Sequence, residues 1–271
     1  MLNLIKMDLY RLFKTKSVKI GLIISAVISF ITIAIIAGIS NLAPQFDAET
    51  QETLAMMIPF INWRINVNFY EIILTATTIL SLMVSAVLAS IFISEEQANG
   101  YIKNIAGQVK DKGMMNVSKF IALSVMTLFV LLTYTVGATV SGLLFLNNAI
   151  TYEGLSQFLA VFGTKYLIYL SVNAIILFLC TLTKSKSLSI AVGVMFGSGA
   201  TVIVYNVIST FAGIILKCDL PISSYVPDGL IFGLTMDAPA NELIKAVIVG
   251  IIYTVVFIAS SMLLTKKRDT R

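Results

Sequence analysis

VKIGLIISAVISFITIAIIAGI, residues 18–39, decides what kind of protein this is. Lys19 is its only charge, and about 20 apolar helical residues suffice to cross a hydrocarbon core of about 30 Å. The run is longer than the roughly 7–15-residue apolar region of a secretory signal and lacks a small-x-small cleavage site, so it reads as an uncleaved first span. Further apolar stretches at 72–93, 120–146, 166–182, 188–212 and 246–264 bring the expected spans to six. The apolar tail from Ser209 to Leu216 is expected to tilt or to begin a separate outer segment. Ahead of the first span, residues 2–16 place Leu2, Ile5, Leu9 and Leu12 on one helical face and Asn3, Lys6, Tyr10 and Lys14 on the other. That pattern suits a helix lying in the headgroup layer. With 58% hydrophobic and 12% charged residues, against about 45–50% and about 25% in soluble domains, the expected fold is all-α: one transmembrane domain over residues 1–271.

Residue inventory removes most enzyme classes. The chain has no His and two Cys, which excludes imidazole-ligated metal sites and Ser-His-Asp catalysis. Cys180 lies in a span and Cys218 in a loop expected on the far face, so no intrachain disulfide is expected. No G-x-x-x-x-G-K-[ST] occurs, so the chain is not expected to bind ATP by a P-loop, to be an enzyme, or to carry a cofactor. The expected spans are almost free of ionisable residues, which argues against a proton-coupled antiporter or a channel with a charged filter. The basic residues sit in loops rather than in one dense tract with exposed aromatics, which points to topology rather than nucleic acid.

Fifteen of the 19 Lys and Arg fall on the face that carries both termini and the loop after the second span, with Arg64, Lys165, Lys217 and Lys245 on the other. The positive-inside rule makes the first face cytoplasmic. Nine of the 14 acids and all five prolines fall outside, which supports two structured but irregular outer loops at 41–71 and 217–245. The first has an apolar run, Leu54 to Ile61, followed by Trp63, Phe69 and Tyr70 as aromatic anchors. The second has short apolar pieces around Pro221, Pro227 and Pro239, which suggest re-entrant or surface-lying helices.

The longest polar stretch on the basic face is Ser94 to Lys119, SEEQANGYIKNIAGQVKDKGMMNVSK. Ser94 and Gln97 have capping-box spacing, with Glu95 and Glu96 in the first turn, so a short helix is expected to start there. Tyr101, Ile102 and Ile105 would give it an apolar side between Lys103, Lys110, Lys112 and Lys119; the plainer reading is a solvated loop. A Glu pair at a membrane helix end also marks intramembrane prenyl-protein proteases, but here Gln97-Ala98-Asn99-Gly100 follow and His is absent. Gly193 and Gly197 form a G-x-x-x-G followed by Gly199, and Asn173 and Asn206 put amides inside the fourth and fifth spans. These four are expected to serve helix packing rather than substrate contact.

The layout resembles the permease subunits of type-2 ABC exporters: an interfacial helix, six spans, cytoplasmic termini, a cytoplasmic loop after the second span and a Pro-containing outer segment before the sixth. In that family the loop has an acid, three residues, a Gly, a short apolar-basic stretch and a later Lys, matched here by Glu96, Gly100, Ile102-Lys103 and Lys119. Val109-Lys110-Asp111-Lys112 stand where the family has Pro and Arg. The resemblance implies that Glu96, Gly100, Tyr101, Ile102, Lys103 and Ile105 belong to a coupling helix seated on a separate ABC ATPase. It also implies a second permease subunit, identical or different, in a bacterial plasma membrane. The expected function is ATP-driven export of an amphipathic peptide antibiotic, drug or lipid-like molecule, and the alternative is a non-transporting membrane scaffold or assembly protein.

Overall fold

The computed structural model describes residues 1–42, 47, 67–76, 78–98, 111–145, 150–151, 153–216 and 221–267. Helix α1 (Leu2–Lys14) ends at Thr15, whose extended backbone turns the chain into α2 (Lys16–Leu42). The region expected as one second span forms two helices, α3 (Phe69–Ala76) and α4 (Ile79–Ala98). Then come α5 (Met114–Phe145) and α6 (Leu155–Thr183). Lys184 ends α6 in the left-handed region (φ 53°), donating its N–H to the Cys180 carbonyl at 3.0 Å, and α7 (Lys186–Ser198) starts at once. Across Gly199 (φ 75°), where a missing Cβ makes the left-handed turn cheap, α8 (Ala200–Leu216) is bent 74° from α7. The break therefore falls upstream of the 209–216 tail where a separate segment was expected. One-turn helices at Ile222–Tyr225, α9 (Pro227–Leu230) and Ile231–Gly233 precede α10 (Ala240–Lys267). A two-residue parallel ladder pairs Val67–Asn68 with Ile150–Thr151.

This is an all-α, membrane-embedded architecture. Among the described residues, α2, α5, α6 and α10 are long and apolar enough to cross a bilayer, and the bent α7–α8 pair makes a fifth if taken as one span. Helices α4, α5 and α6 form the centre, with α2 along α5, α7 along α4 and α10 along α6. The core lies where Phe92, Leu123, Met126, Val130, Tyr134, Val172 and Ile176 meet. Hydrocarbon surrounds such helices, so packing and interhelical hydrogen bonds, more than escape from water, hold them together.

Small residues set the closest approaches. A Cβ on Gly197 would overlap the Met83 backbone, one on Gly193 would lie 3.2 Å from the Ala86 Cβ, and one on Gly137 would strike the Ala26 carbonyl. The Asn173 amide donates to Ser85 Oγ (3.1 Å) and Thr127 Oγ1 (2.7 Å), tying α6 to α4 and α5. Asn206 departs from its expected packing role: the bend at Gly199 carries α8 away from the bundle, and Asn206 is exposed. Phe69 is buried and Tyr70 stacks on Phe158 (centroids 4.9 Å apart), so these two serve the interior rather than an interfacial anchor.

The two ends of the bundle differ. One gathers α1, the end of α4, the start of α5 and the end of α10, where Asn116 Nδ2 donates to the Ser261 carbonyl and Thr265 Oγ1 (both 2.8 Å) and Lys266 pairs with Asp111 at 2.9 Å. At the other, Asn68 Nδ2 donates to the Glu153 carbonyl (2.8 Å) and Gln157 Nε2 to the Ala238 carbonyl (3.3 Å).

Candidate functional site

No helix starts at Ser94. Helix α4 runs through it to Ala98, so Glu95 and Glu96 occupy a last turn, where negative charge opposes the helix dipole, instead of a first turn, where it is favoured. The capping-box pattern misleads because the apolar run before Ser94 is long enough to carry the helix past it. Cations from other elements compensate. Arg11 Nη1 donates to Glu96 Oε2 at 2.7 Å, Arg11 Nη2 donates to the Phe92 carbonyl at 3.3 Å, and the guanidinium carbon lies 4.1 Å from the Phe92 ring centroid. Lys119 Nζ, from the first turns of α5, stands 3.1 Å from Glu96 Oε1.

Asp8 completes the cluster. It is buried one helical turn before Leu12, and both face α5. Ser118 Oγ donates to Asp8 Oδ2 at 2.5 Å, and Arg11 Nη1 lies 3.9 Å from Oδ1. Burial pushes the Asp8 carboxyl above its usual range, against the opposing pull of the Ser118 hydrogen bond. Asp8, Glu96, Arg11 and Lys119 form a set with two charges of each sign. Such a cluster adds little net stability, but removing Arg11 or Lys119 leaves the buried Glu96 carboxylate short of a cation, so it holds α1, α4 and α5 in one arrangement. Ser17, at the start of α2, donates its hydroxyl to Glu95 Oε1 at 3.1 Å.

Of the expected coupling residues, Glu96 is at the centre of this site, whereas Gly100, Tyr101, Ile102, Lys103 and Ile105 lie outside the described residues, as do Cys218 and the run Leu54 to Ile61 with Trp63. The structure joins Glu96 to Lys119, the first and last points of the motif, and adds Asp8, Arg11 and Ser118, which sequence reasoning missed. A signal for them existed: Asp8 and Arg11 interrupt the face of α1 that carries Ile5, Leu9 and Leu12.

A second buried cation corrects another expectation. Lys165, assigned to an outer loop, lies inside α6 at 2% exposure, so the spans do contain an ionisable residue. Its Nζ donates to the Leu74 carbonyl in the last turn of α3 (2.6 Å) and to Thr78 Oγ1 just after it (2.9 Å). Thr78 Oγ1 itself donates to the Leu74 carbonyl (2.9 Å), a back-bond that favours bending. One turn along α6, the Tyr169 hydroxyl reaches the Thr78 carbonyl at 3.3 Å and hydrogen-bonds Ser81. Thus α6 grips both sides of the α3–α4 break, with the Lys165 amine donating at the negative end of α3.

At the opposite end of the bundle Asp228 is buried in α9, accepting from the Thr201 hydroxyl and from Tyr205 (3.4 Å). Burial raises its pKa. Ser209 Oγ accepts the Ile222 N–H at 3.1 Å, so the one-turn helices are strapped to α8. Among the described residues no cluster of three His, Cys, Asp or Glu side chains is placed to hold a metal.

No family model and no curated protein matches this sequence. Its chemistry is therefore that of the geometry alone: an ionic cluster with two charges of each sign, linking the end of α4 and the start of α5 to α1.

Proposed function

We propose that this chain is the membrane subunit of an ATP-driven exporter, working with a separate ABC ATPase and a second membrane subunit, and that residues 94–119 are the element on which the ATPase acts. The observation that carries the reading is Glu96, held by Lys119 at 3.1 Å on one carboxylate oxygen and by Arg11 at 2.7 Å on the other. Breaking a buried pair costs about 3–5 kcal/mol, so a displacement of the segment between α4 and α5 moves both helices and α1 together. The chain contains no P-loop, so the energy enters from a partner. The cargo is an amphipathic peptide, drug or lipid-like molecule. The setting is a bacterial plasma membrane with both termini cytoplasmic, supported by the 15 of 19 basic residues on one face.

The test is a search of the adjacent reading frames for a P-loop ATPase, followed by co-expression of the two, purification through a tag on this chain, and assay of retained ATP hydrolysis. Retained hydrolysis, lost when Ile102 and Ile105 are both replaced by Asp while membrane insertion is unchanged, is the expected result. A chain that inserts and purifies with no ATPase, or a double variant that retains it as wild type does, would favour a non-transporting scaffold.

A further inference from the structure

We infer that the angle between α1 and α2 is a binding site for an anionic phospholipid. The slot there is lined by Leu12, Phe13, Val18, Leu22, Met126 and Phe129 and by one cation, Lys19. Its walls come from three helices, and Phe13 meets Phe129 edge-on with ring centroids 5.6 Å apart, joining α1 to α5. Lys19 is the only charge in α2 after its first residue, and it is exposed. An alkyl-lined slot of about 70 Å³ with a single ammonium takes a few methylenes of an acyl chain that runs on along the outer helix surface, with the phosphate on the lysine, whose stem can lie along the same apolar surface.

The sorting of charge selects the headgroup. Around α1 the acids are engaged by protein groups: Asp8 accepts from Ser118, Glu96 is held by Arg11 and Lys119, and Glu95 accepts from Ser17, while the more exposed Asp111 of this end pairs with Lys266. The exposed charged side chains of α1 and the first turn of α2 are Lys6, Lys14, Lys16 and Lys19. Beside them Leu2, Tyr10, Phe13 and Ile20 are exposed, with Lys14 Nζ 4.9 Å from the Tyr10 ring centroid. A zwitterionic headgroup would bring an ammonium of its own into this cationic field. A phosphatidylglycerol headgroup brings only the anion. The site requires no partner ATPase, so it stands apart from the export reading.

The full chain is placed in nanodiscs of equal parts phosphatidylglycerol and phosphatidylcholine, released, and its retained lipids counted by native mass spectrometry. Wild type should retain phosphatidylglycerol at least about tenfold over phosphatidylcholine, as two lysines near an anionic headgroup supply. Lys16→Gln with Lys19→Gln should remove most of that preference. Leu22→Trp, which fills the slot and leaves every lysine in place, should lower lipid retention to a similar extent; Leu22→Phe replaces it should the Trp variant aggregate. Equal retention of the two lipids by wild type would overturn the proposal, as would variants that retain lipid like wild type. Loss in the lysine variant alone would mean a diffuse surface field, and loss in the slot variant alone a lipid held regardless of charge; either outcome also rejects the site.

Discussion

Lys119 and Lys165 are buried to nearly the same degree, 4% and 2% exposed, and their amines are accommodated in different ways. Lys119 stands against a carboxylate that Arg11 also holds. Lys165 has, among the described residues, a backbone carbonyl and a hydroxyl as its acceptors. The first lysine belongs to a set in which every charge depends on another. The second depends on the shape of the backbone, because the end of α3 presents the carbonyl it needs. A charge at the end of the bundle is thus fixed by its partners, and one in the interior by a helix break.

The comparison predicts unequal losses. Lys119→Met should cost the most, about 3–5 kcal/mol, because Glu96 loses one of its two cations. Adding Glu96→Gln should return part of that loss, a coupling of about 0.5–3 kcal/mol in a double-mutant cycle read by unfolding in mixed micelles. Strictly additive losses would contradict the dependence of one charge on the other.

Lys165→Met should cost less, about 1–3 kcal/mol, since the acceptors left behind are neutral. A loss equal to that of Lys119→Met in the same assay would erase the distinction. Thr78→Val removes only the hydroxyl acceptor and should cost about 0.5–1.5 kcal/mol. If Thr78→Val has no effect in the wild-type background, the hydroxyl is not needed to hold Lys165.

The smallest effect is at Asp8. Its folded-state pKa is raised by burial above the usual 3.8, so the folded chain holds that proton more tightly than the unfolded one. Stability from this group therefore increases as pH falls through the raised folded value towards 3.8, and is lost as pH rises again. Asp8→Asn should flatten that part of the stability–pH curve while changing stability near neutral pH by about 1 kcal/mol or less. A curve whose acid limb is unchanged in Asp8→Asn would show that another group is responsible.

Long apolar runs made α2, α5, α6 and α10 legible, because crossing hydrocarbon demands length and little else. The same logic misplaced Lys165. A charge reads as the edge of a span, although Phe158, Val161 and Phe162 continue the apolar face on its far side. The break at Gly199 had a local signal in its glycine, but its position depends on α7 packing closely on α4 through Gly193 and Gly197. Glu96 and Lys119 were visible as points of a pattern. Their contact with each other, and with Arg11, was not, because nothing in the sequence spacing says which face of α1 turns towards α5.

The bend at Gly199 also sets a thickness. At 1.5 Å per residue the 13 residues of α7 give about 20 Å and the 17 of α8 about 26 Å. Tilted 74°, α8 adds only about 7 Å along the axis of α7, for a total near 27 Å against a hydrocarbon core of about 30 Å. Taken as one span with α7 upright, the pair is a few ångström shorter than that core, a mismatch that local thinning of the bilayer accommodates. In that arrangement the exposed Asn206 amide comes within reach of interfacial water, and this flank responds to the chain length of the lipids around it.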